Sequence, residues 1–300
     1  KLIMANSRFL DIVKPKIIVT ECDRTAQSSC LVLAARLKRI PVVTMIHGAM
    51  EPYPSYGLTP ILADYVCCWG DRHKFNLIKH GTTQSKLIVT GSQAISKTLN
   101  VSSDTARLKL SLPIDKPLVM LATSTMEPAI KLEYTFVFCK AMSKMFDITA
   151  VVRIHPAENL KDYQVLINQF PHIKFLSNDV MTRDESIAAA DIVISHESSF
   201  GVDALLRGKL IIILDVVGIP LKVGKELIDM AGCPRVKGEE ELSTVIRSIF
   251  SDNDFKNELH AKADLYAQQY CDSFGQEATD NVCRVIDEAI DNVKNCQNIS

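Results

Sequence analysis

The sequence predicts an α/β chain of two domains, each built on a parallel sheet covered by helices on both faces, with a cleft between them. Three observations carry this. Short, almost wholly apolar runs alternate with longer amphipathic ones along most of the 300 residues, the pattern of buried parallel strands and their crossover helices. The alternation loosens once, around residues 91–117, and then restarts. Polar residues gather at the carboxyl ends of the predicted strands, while the strands themselves hold almost none.

Taken in order, KIIVT (16–20) reads as a buried strand and SSCLVLAARLKRI (28–40) as a helix. PVVTMI (41–46) and ADYVCCW (63–69) are strands, and DRHKFNLIKHG (71–81) is a helix stopped by Gly81. KLIVTG (86–91) is the fourth strand. The Ser-, Asn-, Asp- and Pro-bearing stretch that follows reads as an inter-domain crossover with room for one helix. Strands are then predicted at 117–123, 148–154, 172–176, 191–195 and 210–214, with helices at 131–146, 160–169, 183–190 and 199–207. From Glu239 onward the tail has apolar residues at helical spacing. The predicted parts are a first Rossmann-like domain (1–91), the crossover (92–116), a second Rossmann-like domain (117–265) and C-terminal helices (266–300). With four strands against about six in a full dinucleotide-type sheet, the first domain reads as short. The start at Lys1 reads as a boundary that further strands would precede.

Composition narrows the function. Hydrophobic residues make up 47% and charged ones 23%, a globular profile, and the formal net charge of -1 lacks the basic footprint of a nucleic-acid binder. The longest apolar run, near 210–221, is broken by Asp215, Gly218 and Pro220 and is too short to span a bilayer. No basic-then-apolar leader is visible. Nine cysteines without a CxxC pair read as reduced thiols in a cytoplasmic setting, and no metal-ligand spacing is present. The P-loop, the G-x-G-x-x-G fingerprint and the G-x-S-x-G elbow are all missing, which weighs against nucleoside triphosphatases, NAD enzymes and α/β-hydrolases.

In open parallel sheets ligands bind beyond the carboxyl ends of strands. Five loops therefore matter: ECDRTAQSS after Thr20, HGAMEPYPSYG after Ile46, STMEPA after Thr123, HPAEN after Ile154 and SHESSFG after Ile194. In the last, a strand ends in Ser195-His196-Glu197, and Ser198, Ser199, Phe200 and Gly201 open a helix. Free N–H groups at a helix start receive phosphate oxygens, hydroxyls add donors, and glycine admits close approach. The plainer reading is that Ser198 or Ser199 only caps the helix; the company of His196 and Glu197 favours an anion site. Asp203, one turn on, is placed to accept from ribose hydroxyls. Arg153, His155 and Pro156, in RIHPAE, end another strand in a stiffened turn whose histidine can donate to phosphate. Ser124 and Thr125 offer hydroxyls at a third strand end. In the first half, His47 ends a strand beside Gly48 and a long loop, and histidine titrates where a general base is useful. Glu51, Glu21 and Asp23 are the alternative bases. His73, His80, His172 and His260 read as surface or packing residues.

HG after a first-half strand, ADYVCCWG with KLIVTGS, RIHP, and SHESSFGVDALLRGKLIIIL together resemble the GT-B glycosyltransferases. The likeness leans toward bacterial surface-polysaccharide enzymes: the CDP-glycerol glycerophosphotransferase-like group and the bacterial sialyl- and polysialyltransferases. It runs from about Ile17 to the terminal helices. It implies that an HP motif (His155, Pro156) and a Ser-Ser motif (Ser198, Ser199) hold the phosphates of a nucleotide-sugar donor. It places Asp203 on the ribose and His47 near a catalytic histidine. The implied donor is CMP-, CDP- or UDP-linked and the acceptor a saccharide or lipid-linked saccharide, in polysaccharide biosynthesis. The implied setting is cytoplasmic, with peripheral membrane association compatible with such acceptors, and no cofactor or metal is expected. ECD (21–23) lacks the glycine of the sialyltransferase acidic motif, which counts against sialic acid. Two other readings share the architecture. One is a UDP-N-acetylglucosamine 2-epimerase-like enzyme, although HESSFGVDA replaces the Gly-Gly and paired-acid helix start expected there. The other is a catalytically silent nucleotide-sugar-binding subunit.

Overall fold

The computed structural model describes residues 1–46, 60–93, 95, 99–221 and 223–297, the side chains of 293–297 excepted. His47 and Glu51 therefore lie outside the described residues. The chain divides into two compact units, 1–96 with 268–300, and 97–267.

The first unit contains α1 (Leu2–Val13), β1 (Ile18–Thr20), α2 (Ala26–Leu37), β2 (Val42–Met45), β3 (Tyr65–Cys68), α3 (Asp71–Lys79) and β4 (Leu87–Val89). The strands form one parallel sheet in the order β1-β2-β3-β4. Side-chain alternation splits its residues between two faces. Ile18 and Val42 pack with Leu10 of α1 and Val32, Ala34 and Ala35 of α2. Val43 and Cys67 face the other way, onto Val282, Val285 and Ala289 of the C-terminal helix. Helix α1 was not legible in the periodicity: it is amphipathic, but Leu2, Phe9 and Ile12 lie exposed, so its apolar residues fall on both sides.

The second unit contains α4 (Ser103–Lys109), β5 (Leu118–Ala122), α5 (Pro128–Met142), β6 (Thr149–Arg153), α6 (Gln164–Gln169), β7 (Lys174–Leu176), α7 (Arg183–Ala189), β8 (Ile192–Ser195), α8 (Ser199–Leu206), β9 (Leu210–Leu214), α9 (Val223–Ala231), β10 (Arg235–Val236) and α10 (Glu239–Ser251). Helix α11 (Asn253–Tyr270) spans the unit boundary, and α12 (Gly275–Gln297) returns the chain to the first unit. The sheet is wholly parallel, in the order β10-β9-β8-β5-β6-β7. All five residues of β5 and of β9 are buried, which explains their continuous apolar sequence. The stretch read as a crossover holds α4, whose Ser102 cap accepts from Thr105 N–H, and residues 97–116 belong to the second unit. Helix α5 starts three residues before its predicted start, because Pro128 opens it and Glu127 caps it. Helix α9 and strand β10 were not predicted; β10 is only two residues long.

His73 of α3 is fully buried against Trp69 and Tyr270, with ring centroids 5.3 Å and 4.7 Å away. Its Nδ1 accepts the Trp69 N–H at 3.3 Å, which puts the ring proton on Nε2. Burial first, and the Arg72 charge second, hold its pKa down to about 3. Between about 6.5 and 3 the unfolded chain binds a proton that the folded protein refuses, so stability falls as pH falls through that window. Between pH 6.5 and 5 the wild type is expected to lose about 1.6 kcal/mol more than His73→Gln. Urea unfolding at the two pH values checks this; parallel losses in both proteins would show that His73 protonates freely.

No helix among the described residues is long and apolar enough to cross a membrane, and no group of metal-competent side chains occurs among them. Eight described cysteines are free thiols.

Candidate functional site

The sheet order of the second unit locates the site. From β5 the chain steps outward to β6 and β7; from β8 it steps the opposite way to β9 and β10. The order reverses between β5 and β8, which are neighbours, so the loops leaving their carboxyl ends diverge and open a crevice. The loops at this reversal are 123–127 and 196–198, with 154–159 beside them after β6.

Electrostatics single out one helix start. Helix α5 is capped by the Glu127 carboxylate, which accepts the N–H groups of Ala129 and Ile130 at 3.1 and 3.3 Å. Helix α9 is capped by Glu197, whose two oxygens accept Val223 N–H at 3.1 Å and Gly224 N–H at 2.7 Å. Helix α7 carries Asp184 and Glu185 in its first turn. Helix α8 has a neutral cap, Ser198 Oγ accepting Phe200 N–H at 3.1 Å, and no acidic residue in its first turn. Its partial positive charge is therefore uncompensated. Arg183, itself paired with Asp203, reaches this start: Nη2 donates to the Ser199 carbonyl at 3.1 Å, and its guanidinium lies 5.7 Å from the Phe200 ring. Arg153 stacks on the same ring at 4.7 Å.

Two histidines flank this start in opposite tautomers. His155 Nδ1 accepts Ala157 N–H at 3.1 Å, leaving Nε2–H as a donor. Its pKa is lowered chiefly by burial; Glu158 raises it and Arg153 lowers it further. His196 Nδ1 lies 3.0 Å from the Leu214 carbonyl, which can only accept, so Nδ1 carries the proton. Tyr134 packs on the His196 ring at 4.6 Å. Beneath His155, Thr123 Oγ1 accepts the His155 N–H at 2.8 Å and donates to Glu158 Oε2 at 2.6 Å, while Tyr163 donates to the same oxygen at 3.0 Å. This network ties the β5 and β6 loops together.

Among the sequence-predicted residues, Ser124 (buried) and Thr125 (exposed) share the loop after β5. Arg153, His155 and the exposed Pro156 lie at the end of β6, and His196, Ser198, Ser199 and Gly201 lie around the start of α8. Three of the predicted residues already have partners within the chain. Asp203 is 3% exposed and paired with Arg183 and with Arg207, at 2.9 Å from the latter, so it serves as an internal counter-ion. Glu197 is taken up by the start of α9. Asp23 is buried in the first unit, where Oδ2 accepts the N–H groups of Leu62 and Ala63, so it pins the backbone and is no free base. Glu21, in the same loop, is exposed. Arg183, Thr123, Glu158 and Ser195 escaped the sequence reading. Arg183 looked like an ordinary helix start after Thr182, and nothing local signals that it reaches a helix 16 residues on.

No protein-family model matches the chain, and no curated protein matches it. Solved structures do match. The UDP-GlcNAc 2-epimerase from Neisseria meningitidis bound to UDP-GlcNAc is 15% identical, with 95% of this chain and 80% of that one covered at a TM-score of 0.65. Anabaena Alr3699/HepE in complex with UDP and glucose is 15% identical, with 94% and 80% covered at 0.60. A glycosyltransferase from Rickettsia africae ESF-5 is 15% identical, with 97% and 81% covered at 0.62. At this identity the likeness is one of fold: the chain has the GT-B-like α/β fold with two parallel sheets.

Proposed function

We propose that the protein is an enzyme acting on a nucleotide sugar, and within that class a glycosyltransferase whose donor phosphates bind at the start of α8. The observation that carries the reading is the uncompensated start of α8 at the reversal point of the second sheet, in contact with Arg183, with the Nε2–H of His155 offered from the loop after β6. Phosphate oxygens match that donor set. Fold likeness to structures holding UDP, UDP-GlcNAc or UDP with glucose supports a nucleotide-sugar ligand. The acceptor is a saccharide or lipid-linked saccharide of the surface-polysaccharide type. His47 is the proposed general base, with Glu51 and Glu21 behind it; the burial of Asp23 ranks it last.

The second reading is a UDP-N-acetylglucosamine 2-epimerase-like enzyme, favoured by the fold likeness to such enzymes. The absence of first-turn carboxylates on α8 weighs toward transfer.

Incubation with UDP-GlcNAc and with CMP- and CDP-linked donors, each with and without saccharide acceptors, separates the readings by NMR. Transfer is expected to need an acceptor and to fall by about 10²–10⁴-fold in His47→Ala, the usual loss on removing a general base. Acceptor-independent inversion at C2 would establish the epimerase. Nucleotide binding without any turnover would establish a silent binding subunit.

A further inference from the structure

Arg153 differs from Arg107, Arg207 and Arg235 of the second unit. Arg107 faces Asp191 at 2.8 Å, Arg207 faces Asp184 and Asp203, and Arg235 faces Asp215. Arg153 is 4% exposed, yet no carboxylate lies within ion-pair distance of it among the described residues. Its hydrogen-bond partners are neutral: Nε donates to Ser186 Oγ at 2.8 Å and Nη2 to Asn178 Oδ1 at 2.8 Å. Another cation, Arg183, lies against the same Phe200 ring. Burial, reinforced by Arg183, lowers the Arg153 pKa to about 10, so it stays charged at neutral pH. A buried charge without a counter-ion is costly to a fold. A second buried polar group is also unsatisfied: Ser195 Oγ has no hydrogen-bond partner among the described residues, and it lies 3.1 Å from where a side chain on Gly201, in the first turn of α8, would begin.

We infer that the missing counter-ion of Arg153 is a phosphate oxyanion of the ligand, held between Arg153 and Arg183 at the start of α8. The inference rests on the phosphate reading of α8 and deepens it. Arg153 is then a binding residue that lowers the stability of the free protein. Its removal has the opposite sign from that of a structural arginine: the empty protein gains and the ligand is lost.

Thermal unfolding with and without inorganic pyrophosphate tests this, on wild type, Arg153→Met and Arg183→Met. Arg153→Met keeps the stem and its packing on Phe200 while removing the charge. Its ligand-free Tm is expected at or above wild type, and its pyrophosphate response should vanish. Arg183→Met, partly exposed and leaving Asp203 with Arg207, should melt near wild type and need at least about tenfold more pyrophosphate. An Arg153→Met protein that melts lower, or responds to pyrophosphate like wild type, overturns the inference. So does an unchanged response in Arg183→Met. The two readings fail separately. If pyrophosphate stabilises the wild type and UDP, CDP and CMP do no better, the nucleotide reading falls and the Arg153 site stands. If nucleotides stabilise wild type and Arg153→Met alike, the Arg153 site falls and the nucleotide reading stands.

Discussion

Replacing Ser199 by aspartate is expected to raise the melting temperature of the ligand-free protein and to abolish nucleotide binding. Ser199 is the first residue of α8, whose first turn carries no acid, whereas α5, α7 and α9 each have carboxylates at or in theirs. An aspartate there would supply the charge complement that the neighbouring helices already have, worth about 0.3–1 kcal/mol. The same carboxylate would occupy the position read here as the phosphate position. Like charges set against each other in a binding site cost several kcal/mol. Affinity should therefore fall by more than about 100-fold, at about tenfold per 1.4 kcal/mol. Ser199→Asn, neutral and of similar size, should lose far less. Calorimetric titration with UDP and CDP, alongside thermal unfolding of the empty variants, reads both signs together. If Ser199→Asp binds nucleotide as the wild type does, the phosphates lie elsewhere and the central assignment fails.

The largest stability effect is expected at Gly91, where Gly91→Ala should cost the first unit roughly 2–5 kcal/mol. This combines the left-handed penalty of about 1–2 kcal/mol with overpacking of about 1–3 kcal/mol. Gly91 has φ +82°, and a Cβ there would lie 2.2 Å from the Ser273 carbonyl oxygen and 2.3 Å from its Oγ. That backbone cannot step aside easily. Asp272 N–H donates to the Trp69 carbonyl, Ser92 N–H to Ser273, and Gly275 N–H to both Ser92 and Ile95. Ser273 Oγ donates to the Thr90 carbonyl at 3.0 Å. These bonds dock the segment that leads into α12, and α12 covers one face of the first sheet through Val282, Val285 and Ala289. Gly81 serves as the control: its φ is +87° but the space around it is open, so Gly81→Ala should cost only about 1–2 kcal/mol. Denaturant midpoints for the two variants give the comparison. Equal losses would mean that the Ser273 contact does not bear on stability.

The sequence by itself determined the α/β class, the two parallel sheets and which loops leave the carboxyl ends of the strands. A strand buried on both faces must be apolar throughout, so β5, β8 and β9 announce themselves in VMLA, IVI and LIIIL. The polar residues at their carboxyl ends stand out against that background. The short cap Ser198 was legible for the same local reason: a hydroxyl two residues before the N–H it accepts needs no distant partner. Only the tertiary structure decided the strand order and hence the reversal between β5 and β8. It alone returned residues 268–300 to the first unit. It also decided which charged side chains are free. Asp23 is consumed by backbone about 40 residues away and Glu197 by a helix start 26 residues on. Asp203 is claimed by Arg183 from another helix, and Arg153 is left without a carboxylate among the described residues. Charge pairing acts over a few ångströms of space and carries no fixed spacing along the chain. A sequence can therefore show that a site is polar, but which of its charges remain for a ligand is settled by the packing of elements that the chain brings together from far apart.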